Sequence, residues 1–172
     1  MKLTQSLKRY GVVFTLLIMS FLSHAQTPTD TLPGDPGGVF VYTLQNLAFG
    51  AFSHGSSGGT VIIGSDASRT VTGDVIALNL GFQYYNAQFE VEAPPGTILT
   101  ILNGPDATLN GSNGGTMTLH IGSASPSSPI TTTVSPPTRT RVDIGGTLTV
   151  GNNATSPPGS YSGTFYVTFN YE

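Results

Sequence analysis

The chain has 172 residues, with no cysteine or tryptophan, 22 glycines, 12 prolines and a formal charge of −3. Without cysteine it can form no disulfide, no thiolate metal site and no lipid-modified cysteine anchor. Its six lysines and arginines are too few to neutralise a track of phosphates, so the sequence predicts no nucleic-acid partner.

The first 25 residues have the pattern of a secretory signal peptide. Lys2, Lys8 and Arg9 precede the apolar run 11–22, and small residues at Ser23 and Ala25 suit a signal peptidase. The run is shorter than the roughly 20 residues that a spanning helix needs. We therefore expect a secreted protein, cleaved after Ala25 and not inserted in a membrane afterwards. Cleavage leaves 147 residues with three arginines against nine acidic side chains, a formal charge of −6.

Residues 26–38 are predicted to form a flexible arm that precedes a single domain over residues 39–172. The arm is rich in proline and glycine, and Pro28, Pro33 and Pro36 each lack the backbone N–H that a β-ladder needs. Leu32 is the one large apolar side chain in this segment.

The domain is predicted to be almost entirely β-strand, because short apolar alternations recur between glycine- and proline-rich turns. A break at Gln45–Asn46 and a turn at Gly73–Asp74 are expected. The glycine-rich stretches 55–61 and 111–117 resemble each other and are predicted to be turns that launch strands. Residues 125–138 are predicted to form a long loop. The predicted strands are 39–44, 47–52, 60–63, 69–80, 87–92, 97–102, 116–121, 139–144, 147–150 and 164–171. This pattern is typical of an all-β, antiparallel β-sandwich.

The sequence shows no constellation of catalytic or metal-ligating residues. His54 and His120 stand apart from any motif, and Glu90 and Glu92 share one strand face, as solvated carboxylates commonly do. We therefore predict a protein that is not an enzyme and uses neither a metal nor a cofactor.

Tyr84 and Tyr85 are the best candidates for contact with a small ligand. Exposed tyrosines on a rigid sheet could stack on sugar rings, although one or both could instead cap the core. They make a glycan-binding role the alternative to a structural one.

The end of the chain carries the strongest pattern. Gly159 precedes apolar side chains at strict period two, and the chain ends one residue after the last of them. Such a strand must be covered by its neighbours or by a strand from another chain, because an open apolar edge invites pairing. The predicted assembly strand comprises Gly159, Tyr161, Phe165, Val167, Phe169 and Tyr171.

With its penultimate Tyr171 and with Gly159 fourteenth from the end, this segment resembles the C-terminal strand of chaperone–usher pilus subunits. More of the chain resembles an uncharacterised secreted domain family of Gram-negative bacteria, itself similar to archaic, spore-coat-like pilins. The matching segments, in order, are 47–50, 58–61, 69–73, 87–91, 115–118, 145–150 and 159–163.

The resemblance implies an incomplete immunoglobulin-like sandwich. In such pilins the missing strand comes first from a periplasmic chaperone and then, at an outer-membrane usher, from the N-terminal extension of the next subunit. The present chain lacks the disulfide of many such pilins, and its arm lacks an alternating apolar strand. Three alternatives remain: the first strand is the donor, the subunit only accepts a strand, or the sandwich completes itself. The possible donor or first-strand residues are Val39, Val41, Leu44, Leu47 and Phe49.

We therefore expect a non-enzymatic subunit of a surface fibre or envelope coat, which assembles with neighbouring copies or related subunits by β-strand complementation. It would pass through the periplasm to the cell surface. The alternative is a free-standing secreted module that binds host or surface glycans through Tyr84 and Tyr85.

Overall fold

A computed structural model describes residues 38–172 of the chain. The predicted signal peptide and all but the last residue of the predicted arm lie outside these residues. The described part contains thirteen β-strands and no helix, and all of its strand pairings are antiparallel. The prediction of an all-β, antiparallel sandwich is therefore confirmed.

The strands follow one another through short connections, as expected for a chain rich in glycine, proline and β-branched residues. They are β1 (Phe40–Gln45), β2 (Ala48–Phe49), β3 (Phe52–Ile63), β4 (Arg69–Ala77), β5 (Tyr84–Tyr85), β6 (Ala87–Glu92), β7 (Ile98–Asn103), β8 (Ala107–Gly111), β9 (Thr116–Ser125), β10 (Ile130–Thr131), β11 (Thr140–Val150), β12 (Tyr161–Ser162) and β13 (Val167–Tyr171).

One large sheet and two small ones make up the fold. The large sheet has eight strands, with the order β1-β6-β11-β9-β8-β12, and β3 joins it by pairing with both β11 and β4. The long strand β11 is its centre, because it pairs with β6, with β3 and with β9 along different parts of its length. The small sheets are β10-β7-β13 and β2-β5.

The core lies between the large sheet and the two small ones. Met117, Leu119 and Ile121 of β9 point into it at every second position, as their alternation predicts. Leu99 of β7 and Phe49 of β2 close the core from the small sheets, with 0% and 8% of their surfaces exposed. The small sheets therefore act as the second layer of the sandwich.

Two predicted glycine turns are wrong. β3 continues through Gly58, and β4 continues through Gly73, with a bulge in their ladder between His54 and Gly59. Gly58 and Gly73 have φ values of +67° and +66°. A positive φ is as typical of a β-bulge as of a turn. By contrast, the similar stretch at Gly111–Gly115 is a hairpin turn between β8 and β9, as predicted.

Other boundaries also differ from the predictions. The segments 139–144 and 147–150 belong to the single strand β11, which absorbs its glycine pair as a bulge in its ladder with β9. The predicted loop 125–138 contains the short strand β10, whose Ile130 is buried and pairs with Leu99. The buried isoleucine gives that long connection an attachment to the core.

The C-terminal segment is not one strand. Tyr161 lies on β12 and pairs with Gly111 of the large sheet, whereas Val167–Tyr171 form β13 and pair with β7 of a small sheet. Between them the chain passes from one layer to the other. The alternating pattern is continuous because the apolar side chains of both strands face the same core. Alternation along the chain does not indicate to which sheet each strand belongs.

Candidate functional site

An apolar groove of about 1000 Å³ lies between the two small sheets. One wall consists of residues 46–52, around β2, together with the loop 78–83. The other consists of residues 157–167, which contain β12 and lead into β13. The groove therefore lies between β2 of one small sheet and a segment that runs from β12 of the large sheet to Val167, the first residue of β13.

The floor of the groove is the core-facing side of the large sheet. It includes Leu109, Met117, Leu119 and Leu148, which lie on the adjacent strands β8, β9 and β11. Leu109 lies opposite Met117, and Leu119 lies opposite Leu148. None of the four exceeds 8% exposure, so the groove reaches the core.

The two small-sheet strands that border the groove, β13 and β2, each pair with one strand only. β13 pairs with β7, and the same ladder is extended by the Glu172–Ile98 and Gly104–Tyr166 hydrogen bonds. β2 pairs with β5. Within residues 38–172, no strand pairs with the second edge of either β13 or β2. The groove is thus a gap in a sheet layer, with a strand edge on either side.

The lining of the groove carries no carboxylate, lysine or arginine. Its polar groups are hydroxyls, amides and the imidazole of His54, which lies 2.8 Å through Nε2 from the carbonyl oxygen of Ser156. The Tyr161 hydroxyl donates to the carbonyl oxygen of Pro157 at 2.6 Å, and burial raises the pKa of this phenol. An uncharged groove favours an uncharged occupant, because a buried charge without a partner is costly.

Four of the six residues predicted for the assembly strand line this groove, on β12, at the start of β13 and in the segments before each of these strands. Gly159, Tyr161, Phe165 and Val167 line it. Phe169 continues along β13 and packs on the core, whereas Tyr171, at the end of the strand, is 59% exposed. The structure thus brings four of the six predicted residues to one wall of the groove.

The predicted first-strand residues occupy two strands of this chain's own sandwich. Val39 and Val41 pack against the core beside β6, and Leu44 on the same segment is half exposed. Leu47 and Phe49 line the groove. Residues 40–45 are therefore the first strand here, and their role as a donor to another subunit stays a prediction.

Tyr84 and Tyr85 form β5 and are 38% and 41% exposed. As neighbours on a strand, they point to opposite faces of the small sheet. The Arg69 guanidinium carbon lies 4.4 Å from the centroid of the Tyr84 ring, and Arg69 also donates to the carbonyl oxygens of Phe49 and Ala51. A ligand could not stack on both tyrosines from one side.

The floor of the groove and one of its rims escaped the sequence analysis. Met117 and Leu119 were predicted to face the core, whereas Leu109 lies on β8, a strand that the sequence analysis did not predict. Leu80 and Phe82 are 65% and 70% exposed and line the groove from the loop 78–83. The predicted strand 69–80 is wrong at its end, because β4 ends at Ala77 and Leu80 lies in the loop.

The remaining titratable residues form surface pairs. His120 Nδ1 lies 2.8 Å from Asp106 Oδ1, and both side chains are more than half exposed. Arg139 binds Glu90 and Glu92, and these two carboxylates, Glu92 first, raise the pKa of the guanidinium. Residues 38–172 hold no group of three or more histidine, aspartate or glutamate side chains that could share a metal ion. The same residues contain no helix long and apolar enough to cross a membrane.

The fold and the groove define an antiparallel β-sandwich whose second layer is interrupted. The chain belongs to the family described as a domain of unknown function, DUF4402, whose match covers residues 40–171. No curated protein matches the chain, and no solved structure does.

Proposed function

We propose that this protein is a non-enzymatic structural subunit of a surface fibre or envelope coat, and that it assembles by accepting a β-strand in the groove. The strand would come from a neighbouring copy or a related subunit. A periplasmic chaperone would fill the same groove during export to the cell surface.

The observation that carries the proposal is the gap in the second layer. β13 and β2 each present one edge that no described strand pairs with, and the floor of the space between them is apolar. Unpaired strand edges beside apolar surface are the template for strand addition, in which backbone hydrogen bonds supply affinity and side-chain pockets supply specificity.

The composition of the groove also supports a peptide strand as the occupant. A groove of about 1000 Å³ is at the upper end of the roughly 300–1,000 Å³ that small-ligand pockets occupy. It lacks the charged groups that commonly fix the orientation of a polar ligand, and its polar side chains are hydroxyls, amides and the imidazole of His54. An extended, uncharged segment can form backbone hydrogen bonds with the strand edges and can pack its apolar side chains on the floor.

A charge placed in the groove tests the proposal. Thr164 is exposed, lines the groove and lies outside any strand, so Thr164→Asp should leave the fold intact. We expect this variant to fold with an unchanged thermal midpoint but to be absent from surface multimers, since an inserted strand would bury the new carboxylate without a partner.

The matched control is Thr70→Asp. Thr70 is exposed on β4, a strand of the large sheet, and does not line the groove. It should assemble as the unmodified protein does. Equal assembly of both variants would contradict the proposal, and loss of folding in Thr164→Asp would be detected in the thermal measurement.

A further inference from the structure

We infer that the strand which enters the groove is apolar on both of its faces, because Leu80, Phe82 and Tyr166 form a rim that covers its outward side. This inference rests on the proposed function and specifies the chemistry of the partner segment. A strand that completes an ordinary sandwich needs apolar side chains on its inward face only.

The rim consists of exposed apolar side chains on both sides of the groove. Leu80 and Phe82 are 65% and 70% exposed on one wall, and Tyr166 is 70% exposed on the other. All three also line the groove. A side chain that is largely exposed and yet lines a groove lies at its mouth, so the outward face of an inserted strand would pass between these three residues.

The loop that carries Leu80 and Phe82 is not packed against the rest of the domain at Gly81. Residues 78–83 form no strand, and the space around the Cα of Gly81 is open, with no atom within 4 Å of where a Cβ would stand. Gly81 has a φ of +83°, a backbone conformation that glycine adopts readily in turns. Its neighbours Leu80 and Phe82 are largely exposed. They would therefore lose few packing contacts if they turned towards the groove.

An inserted strand would bury the three rim side chains, and this burial explains why they are apolar. Large apolar side chains clustered around one groove indicate an interaction site, whereas isolated ones are ordinary on a protein surface. The floor and the rim are apolar, and the lining carries no charge. The inward and the outward side chains of the occupant would both face apolar surface. Its central residues would therefore be uncharged and apolar at consecutive positions.

Residues 38–45 of this chain provide a suitable probe. They carry Val39 and Val41 on one face and Phe40, Tyr42 and Leu44 on the other, with no charge. We would compare a synthetic peptide of this sequence, with a lysine tail for solubility, with two versions. One has threonine in place of both valines, and the other has threonine in place of Phe40, Tyr42 and Leu44.

Affinity would be measured by fluorescence anisotropy on the mature protein, and the binding site would be located by amide hydrogen exchange of Val167–Tyr171. We expect the two-faced peptide to bind about tenfold or more tightly than either one-faced version, a difference equivalent to about 1.4 kcal/mol. The variant Leu80→Ser with Phe82→Ser should bind the two-faced peptide no more tightly than the one-faced version whose apolar side chains face the floor, whereas the other one-faced version should stay weaker. Ile76→Ser should preserve the preference for the two-faced peptide, because Ile76 is 63% exposed on β4 outside the groove.

The outcomes separate the inference from the function on which it rests. If a one-faced peptide binds as tightly as the two-faced one and protects β13, the groove accepts a strand and the rim inference is wrong. The same conclusion follows if the rim variant binds all three peptides as the unmodified protein does. If no peptide binds with protection of β13, the proposed function fails and the inference fails with it.

Discussion

Phe89 and Phe169 meet edge to face across the sandwich, with ring centroids 5.5 Å apart and ring planes at 61°. Phe89 belongs to β6 of the large sheet and Phe169 to the C-terminal strand β13. This contact attaches β13 to the opposite layer near the groove, which Phe89 also lines. β13 is therefore held both by aromatic packing against the large sheet and by its hydrogen bonds to β7.

Replacement of Phe169 by alanine should weaken this attachment. Phe169 is half-buried, so we expect a loss of about 2 kcal/mol in the free energy of unfolding, below the roughly 3–5 kcal/mol seen for fully buried phenylalanines. Denaturant unfolding would measure it. Asn170→Ala, on the exposed opposite face of β13, is the control and should change stability by less than about 0.5 kcal/mol. Equal effects of the two substitutions would contradict the packing described.

Tyr161 should make the domain sensitive to alkaline pH. Burial raises the pKa of its phenol above the ordinary value, so the folded state holds the proton more tightly than the unfolded chain does. The stabilisation is fully present below the unfolded pKa of about 10 and is lost as the pH rises through the folded pKa.

Tyr161→Phe should remove this part of the alkaline destabilisation. At neutral pH it should cost about 1 kcal/mol, because the hydrogen bond to the Pro157 carbonyl oxygen is lost. Unfolding curves at neutral and at alkaline pH would check both effects. An identical alkaline loss in the variant and the unmodified protein would show that Tyr161 is not its source.

Arg139 should hold the first strand against the edge of the large sheet. Its Nε donates to Glu92 at 3.1 Å and its Nη1 to Glu90 at 3.3 Å, while the guanidinium lies 3.8 Å from the centroid of the Tyr42 ring on β1. In Arg139→Met we expect faster amide exchange in β1 and unchanged exchange in the centre of β11. Uniform acceleration in both strands would indicate a global loss of stability instead.

The two tyrosines of β5 provide a test of the alternative function. On our account, replacement of Tyr84 and Tyr85 by alanine, singly or together, leaves binding to cells and to immobilised glycans unchanged. A free-standing adhesive module would lose binding in at least one of these variants. Tyr85→Ala is the sharper of the two, because Tyr84 also lies beneath Arg69.

The alternation of apolar side chains predicted much of the core correctly. Met117, Leu119 and Ile121 point inward as their spacing requires, and Gln45–Asn46 separates β1 from β2 as expected. Such predictions succeed because side-chain direction along a strand is a local property. Gly58 and Gly73 were misassigned because a positive φ serves a bulge and a turn equally well.

The groove could not be predicted because it depends on which strands pair. Tyr161 and Val167 belong to one alternating pattern, yet they lie on strands of different sheets. Only the positions of those strands reveal that β13 and β2 leave a gap between them. Leu80 was assigned to the end of the predicted strand 69–80, whereas it lies in a loop with Phe82. A loop has no periodicity that indicates which surface its side chains cover.

The most direct test of the central claim is gel electrophoresis of the native protein recovered from cell surfaces, with and without boiling in detergent. A subunit joined to its neighbours by inserted strands dissociates slowly, because a whole ladder of hydrogen bonds must be lost before the strand leaves. Our account predicts a ladder of multimers in the unboiled sample that collapses to the monomer on boiling. A monomer in both samples would contradict it and would favour a self-complete binding module.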